Sequence, residues 1–334
     1  MQLEKPTKPA GKILGLLFAP QRIPQYAVLG TFFVILCIFA VLNPKVFLDF
    51  GIYRTLFRTV PIWLHLALGA ALVVITGEID LSFGSIAALS GMIFTSTLVK
   101  TSSQPASVVV CLLAGVAAGS LNGILITKVR IPSIILTLGT MFFWRGFVYL
   151  FIGGSPMTAM AFYGIPLYRL LVGYLVGIPS QFLWSLGFAV IVWLLLNRHR
   201  FGGYIYYIGN DRETSSLMGI KVDRVKIAVF GISGFFAAFA SMISIFLNLA
   251  FWPTLGEGYL LPVLAIVFIG GTPPTGGKGS VFGIFIGGLL LGILDSGLIA
   301  AGLVGPSVKL FHGAFLIFAV SLYSFLSRRE NAQS

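Results

Sequence analysis

Two carboxylates and two hydroxyls lie close together in Gly77-Glu78-Ile79-Asp80-Leu81-Ser82-Phe83-Gly84-Ser85. Carboxylates so spaced can hold a cation or pass a proton, but no His or Cys at metal-ligand spacing accompanies them. The same residues equally suit a turn whose polar groups cap the next helix. His65, Arg145 and Asp295 are three further polar groups, each inside an apolar run. A charge in such a run is costly, faces the protein interior and is paired, so each marks a solute pathway or a packing lock. His65, Glu78, Asp80, Ser82 and Asp295 are the candidates for a path or gate, with a satisfied packing role the simpler reading of His65. Arg145 reads as a structural charge, since a permanent cation brings no evident advantage to a path for a neutral solute, and Asp295 is its candidate partner.

The polar stretch from Asn197 to Lys226 holds a second constellation. In Asn210-Asp211-Arg212-Glu213, Asn210 fits an N-cap with Glu213 three residues later, and Gly219 can close the C-terminus. This predicts a surface helix of about two turns. It would present Leu217 and Met218 as apolar anchors for a groove in a partner, with Arg212 and Glu213 at the rim. The loop Gly271-Thr272-Pro273-Pro274-Thr275-Gly276-Gly277-Lys278-Gly279-Ser280 resembles a phosphate-binding loop only superficially. That pattern requires Gly at 272 and Ser or Thr at 279, where this chain has Thr272 and Gly279. Pro273 and Pro274 also remove two N–H donors.

The elements that must position these groups follow from composition. Of 334 residues 57% are hydrophobic and 10% charged, far from the balance of a soluble domain. At roughly 20 apolar residues per crossing, the chain is nearly consumed by membrane spans, with no block left for a Rossmann core, a barrel or a nucleotide-hydrolysing domain. The +12 charge is dispersed between apolar runs and forms no basic stripe with interleaved aromatics, so nucleic acid is not an expected partner. Cys37 and Cys111 lie inside apolar runs and read as small hydrophobes.

Ten runs stand out, roughly 26–42, 55–76, 84–99, 107–127, 131–152, 179–197, 227–249, 259–270, 280–300 and 307–326. The third and eighth are short for a full crossing and border glycine-rich turns, as broken helices along a pathway do. With the N-terminus inside, fifteen Lys and Arg fall in inside segments and six in outside ones, Arg145 remaining within a run. That bias places both termini in the cytoplasm. The division expected is a leader over 1–25, one membrane domain over 26–326 with the polar segment 197–226 inside it, and a tail over 327–334. Gly115, Gly119 and Gly123, and likewise Gly279, Gly283 and Gly287, recur every four residues. Such small faces let helix backbones approach closely in lipid.

Several motifs in order resemble the permease subunits of ribose-type monosaccharide ABC importers, over nearly the whole chain after the leader. Gly77 to Ser85 is similar to that family's G-G-I-D-L-S-x-G-S, with Glu78 in place of a glycine. Asn122-Gly123, Ile131-Pro132, Leu136-Thr137-Leu138-Gly139 and Arg145-Gly146 resemble its fourth and fifth spans. Tyr206-Tyr207-Ile208-Gly209-Asn210 through Gly219 to Lys226 resembles its cytoplasmic coupling segment, and Gly270-Gly271-Thr272 with Gly276 to Gly279 its late glycine loop. The chain departs at Gly256-Glu257-Gly258-Tyr259-Leu260-Leu261-Pro262, where the family commonly reads G-x-G-Y-E-L-D.

The resemblance implies an all-α polytopic protein of the bacterial inner membrane, with about ten transmembrane helices in a vitamin B12-permease-like fold. It implies a second permease copy or paralogue, two ATP-binding-cassette subunits, and an extracytoplasmic sugar-binding protein that largely sets substrate choice. This chain would translocate a monosaccharide or polyol, perform no covalent chemistry and bind neither metal nor cofactor. ATP and Mg would belong to the partner ATPase, which would act through Asn210, Arg212, Glu213, Leu217, Met218 and Gly219. Permeases for nucleosides or branched-chain amino acids are nearby alternatives. An ion-coupled secondary transporter using Glu78, Asp80 and His65 is the alternative from another class.

Overall fold

The computed structural model describes residues 23–303 and 305–331; most of the expected leader and the last three residues of the expected tail lie outside them. The main helices are α1 (Ile23–Leu42), α2 (Phe50–Ile75), α3 (Phe83–Thr101), α4 (Gln104–Ile124), α5 (Ser133–Ile152) and α6 (Ser180–Arg198). They continue as α7 (Arg200–Asn210), α8 (Arg212–Leu217), α9 (Val222–Asn248), α10 (Leu260–Ile269), α11 (Val281–Ala300) and α12 (Pro306–Asn331). Each expected run carries one helix. Seven of them, α2, α3, α4, α5, α6, α9 and α11, are long and apolar enough to cross a membrane, as suits a polytopic membrane protein. The third run, expected to be short, is a helix of 19 residues, because Thr101 and Lys100 extend it beyond its apolar part. The eighth, α10, has 10 residues, about half a crossing.

Helix is the required solution for these runs, because backbone groups facing lipid must be satisfied within their own segment. The ends are set by polar residues. Asp49 accepts from the Gly51 N–H at 2.5 Å to start α2. Ser103 opens α4 with Pro105 in its first turn, and Ser280 accepts from the Gly283 N–H at 3.1 Å to open α11. Outside the helices, Met157–Thr158 pairs antiparallel with Ala250–Phe251, and Tyr174–Leu175 with Ile178–Pro179.

α9 and α2 are buried along most of their length, with α4 and α3 packed against α9. The glycine spacing explains how closely. A side chain at Gly115 or Gly119 would collide with the backbones of Gly234 and Phe230, and one at Gly123 would lie 2.7 Å from the Ile227 Cα. Gly283 likewise sits against the backbone of Gly270 at the end of α10. α5 is the reverse case: Ile135, Phe142, Phe143, Leu150 and Phe151 all project away from the core.

Candidate functional site

Between α2 and α3 the chain is irregular yet deeply placed. Gly77 takes φ +79°, a left-handed conformation that suits glycine. Glu78 then forms an ion pair with Lys226, which lies one turn into α9 and is 5% exposed in its side chain. The Ile79 N–H donates to Ser133 Oγ at 3.2 Å, and Thr137 Oγ1 donates to the Ile79 carbonyl at 3.3 Å. Asp80 accepts from the Ser82 N–H at 2.8 Å and Ser82 Oγ at 2.6 Å through one oxygen, and from Ser233 Oγ at 3.4 Å through the other. Asn122 donates to Ser82 Oγ at 2.8 Å. Asp80 and Ser82 are therefore buried in a turn that starts α3 and is fastened to α4, α5 and α9. The carboxylate's partners here are hydroxyl and amide donors.

His65 does not join this group. It lies ten residues before the end of α2, about 15 Å along the axis, among Phe188 and Phe239 with ring centroids 5.6 and 5.1 Å away. Its Nδ1 faces the Pro61 carbonyl, so the three residues of the ion-site alternative are not one cluster. Asp295 is likewise not the partner of Arg145. It pairs with His312 at 2.5 Å, linking α11 to α12.

Arg145 reaches instead into the loop before α10, bonding the carbonyls of Pro253 and, at 2.8 Å, Leu255, with Glu257 3.8 Å from its Nε. That loop turns at Gly256 and Gly258, both with positive φ. A side chain at Gly84 would meet the Gly256 carbonyl at 2.7 Å, so the loop dips to the very start of α3. Between them is a cavity of about 310 Å³. Its polar lining is Ser85, Arg145 and Glu257, and its apolar lining includes Leu81, Phe83, Met141, Phe142 and Leu260. An apolar, aromatic wall with a few fixed polar groups is the usual form of a small-molecule pocket.

A third region joins α7 to this core. Gly209 packs on the Ile75 carbonyl and on Gly277, with no room for a side chain. The Gly277 N–H donates to Ile75 O at 2.9 Å, and Tyr206 donates to Gly279 O at 3.0 Å. The end of α2, the end of α7 and the late glycine loop thus share one junction. α8 follows at once, and its N-cap is Asp211, not Asn210, which is the last residue of α7. Asp211 accepts from the N–H groups of Glu213 at 2.9 Å and Thr214 at 3.1 Å. Bonds from the Thr214 hydroxyl and amide hold its carboxyl below the usual carboxylate range. Gly219 ends the segment at φ +80°. Leu217 and Met218 are 89% and 63% exposed, with Arg212 and Glu213 also at the surface.

Three participants escaped sequence reasoning. Lys226 read only as a topology charge, because its partner is 148 residues away. Glu257 stood at the free position of the G-x-G-Y-E-L-D motif, with no local sign of Arg145. Asp211 could have been found, since Asp is as strong an N-cap residue as the Asn beside it.

Residues 52–320 match the family described as branched-chain amino acid transport system / permease component. The chain is 34% identical over 301 residues to the ribose import permease protein of Bacillus subtilis, covering 90% of this chain and 91% of that protein. It is 32% identical over 304 residues to the D-allose transport system permease protein of Escherichia coli, covering 90% and 92%. To the autoinducer 2 import system permease protein of Yersinia pseudotuberculosis it is 32% identical over 296 residues, covering 84% and 82%. No solved structure matches the chain.

Proposed function

The chain belongs to this family of ABC-importer permeases, and from that premise we propose that it carries a monosaccharide or polyol through the bacterial inner membrane. The observation that carries the substrate class is the set of relatives, whose names specify ribose and D-allose. The ribose relatives match over nearly their whole length. The protein is a transport subunit of a multi-pass membrane assembly, and ATP hydrolysis belongs to a separate subunit. Its partners are an ATPase and a solute-binding protein. Two ATPase subunits, a second permease copy or paralogue, ten crossings, and both termini in the cytoplasm complete the reading.

In this reading α8 docks on the ATPase through Leu217 and Met218. Its motion passes through Gly209 and the late glycine loop to the end of α2, and through the start of α9 to Lys226 and Glu78. Both routes end at the irregular turn 76–82, which borders the cavity at Leu81, next to Phe83 at the start of α3. Arg145 holds the opposite wall, the loop over 252–258. The chain's own work is to bind weakly, exclude lipid and change shape; no residue needs to donate or accept a proton.

The family's description favours a second cargo, a branched-chain amino acid. Competition decides between them. Uptake of labelled ribose or allose by cells expressing the permease with its genomic neighbours should be suppressed by unlabelled sugars and unaffected by leucine. Uptake of labelled leucine by the same cells, with no uptake of labelled ribose or allose, would overturn the sugar reading.

A further inference from the structure

Away from the path, a cavity of about 670 Å³ opens where the turn between α4 and α5 meets α8 and the start of α9. Lys128, Arg130, Arg212, Lys221 and Arg224 line it, against two acids, Glu213 and Asp223. Asp223 is already paired with Lys128 at 2.9 Å. Glu213 stands in the first turn of α8, where the positive end of the helix suits a carboxylate. Arg130, Arg212, Lys221 and Arg224 are exposed and make no ion pair among the described residues. Five cations against two acids leave an excess of three positive charges on one concavity, a field that concentrates anions.

The position says which anion. Two membrane-length helical stretches end at this cavity, α9 and the continuation of α4 through a π-helical turn to Val129, so it lies at the depth of the lipid headgroups, where basic pockets between spans hold phosphate-bearing lipids. Ile220 and Val222 give it an apolar edge, as a glycerol backbone requires and a free ion does not. Leu217 and Met218, the anchors assigned to the ATPase, are not in its lining. We propose that this cavity binds the phosphate of an anionic phospholipid headgroup, a two-phosphate headgroup such as cardiolipin fitting its charge best. The proposal rests on the reading of the chain as a permease with this face in the cytoplasm.

The test uses the full chain in nanodiscs of phosphatidylcholine, titrated with cardiolipin and read by native mass spectrometry. A triple substitution Arg130→Gln, Lys221→Gln, Arg224→Gln spares Arg212 and the anchors. At roughly fivefold per cation, retention should weaken on the order of a hundredfold. Arg198→Gln with Lys278→Gln, cations outside the cavity, should leave it unchanged. Equal lipid retention by the triple variant would overturn the proposal, as would full displacement of the lipid by inorganic phosphate, which would identify a free-ion site. Retention of the ATPase by the triple variant in membrane extracts is expected. Loss of the ATPase with lipid binding intact would show that the cavity receives acidic groups of that partner. Loss of sugar uptake from every form of the protein would count against the permease reading alone, since the lipid measurement does not depend on transport.

Discussion

Glu78 occupies a position where the resembled family has glycine, and Lys226 holds it from within α9. Breaking a buried ion pair strands a charge and costs about 3–5 kcal/mol, whereas replacing both partners by apolar groups is close to neutral. Glu78→Ala should therefore lower the unfolding temperature of the detergent-solubilised permease clearly, and Glu78→Ala with Lys226→Met should recover most of the loss. A loss in the double variant equal to the sum of those in Glu78→Ala and Lys226→Met alone would show that the pair contributes no coupling. Arg145 and Asp295 follow the same rule with other partners. Each embedded charge found a neighbour, as its residue type required, but the neighbours were Glu257 with backbone carbonyls and His312, and nothing local in the sequence names them.

At the scale of elements, α8 is a helix of 6 residues, too short to be stable without its cap. Asp211 supplies that cap, which leaves Leu217 and Met218 free to meet a partner. Replacing both with Asp should leave the permease folded and inserted, since neither lies in a membrane-length helix, yet it should release the ATPase in co-purification and abolish uptake. A double variant that keeps both its ATPase and its uptake would move the coupling contact elsewhere, most directly to the junction of Gly209 with Gly277. The helix itself was legible, because a cap and a closing glycine are local signals, although the cap is Asp211, one residue after the expected Asn210. The ten apolar runs were legible for the same reason. The boundary of α3 was not, since Lys100 and Thr101 continue the helix after its hydropathy has faded. The dip of the loop at Gly256 onto Gly84 was also hidden. Its shape comes from contacts between distant segments, and the sequence shows only that the run after it is short.

At the scale of the whole molecule, the proposed orientation places α7, α8 and the late glycine loop in the cytoplasm. Ser215 is buried, but Ser216 beside it is exposed. In a background without Cys37 and Cys111, Ser216→Cys should react with a membrane-impermeant maleimide only after the cells are permeabilised. Labelling in intact cells would invert the topology.

The arrangement as a whole has two ends, the short exposed helix α8 and a small inner cavity, joined by backbone contacts and one buried ion pair. Such a construction makes sense if the energy arrives from outside the chain. The most direct test is reconstitution of the permease with its ATPase and sugar-binding protein in proteoliposomes. Sugar accumulation should require ATP and all three proteins, and should persist when proton and sodium gradients are collapsed. Accumulation by the permease alone, driven by an ion gradient and indifferent to ATP, would contradict the account.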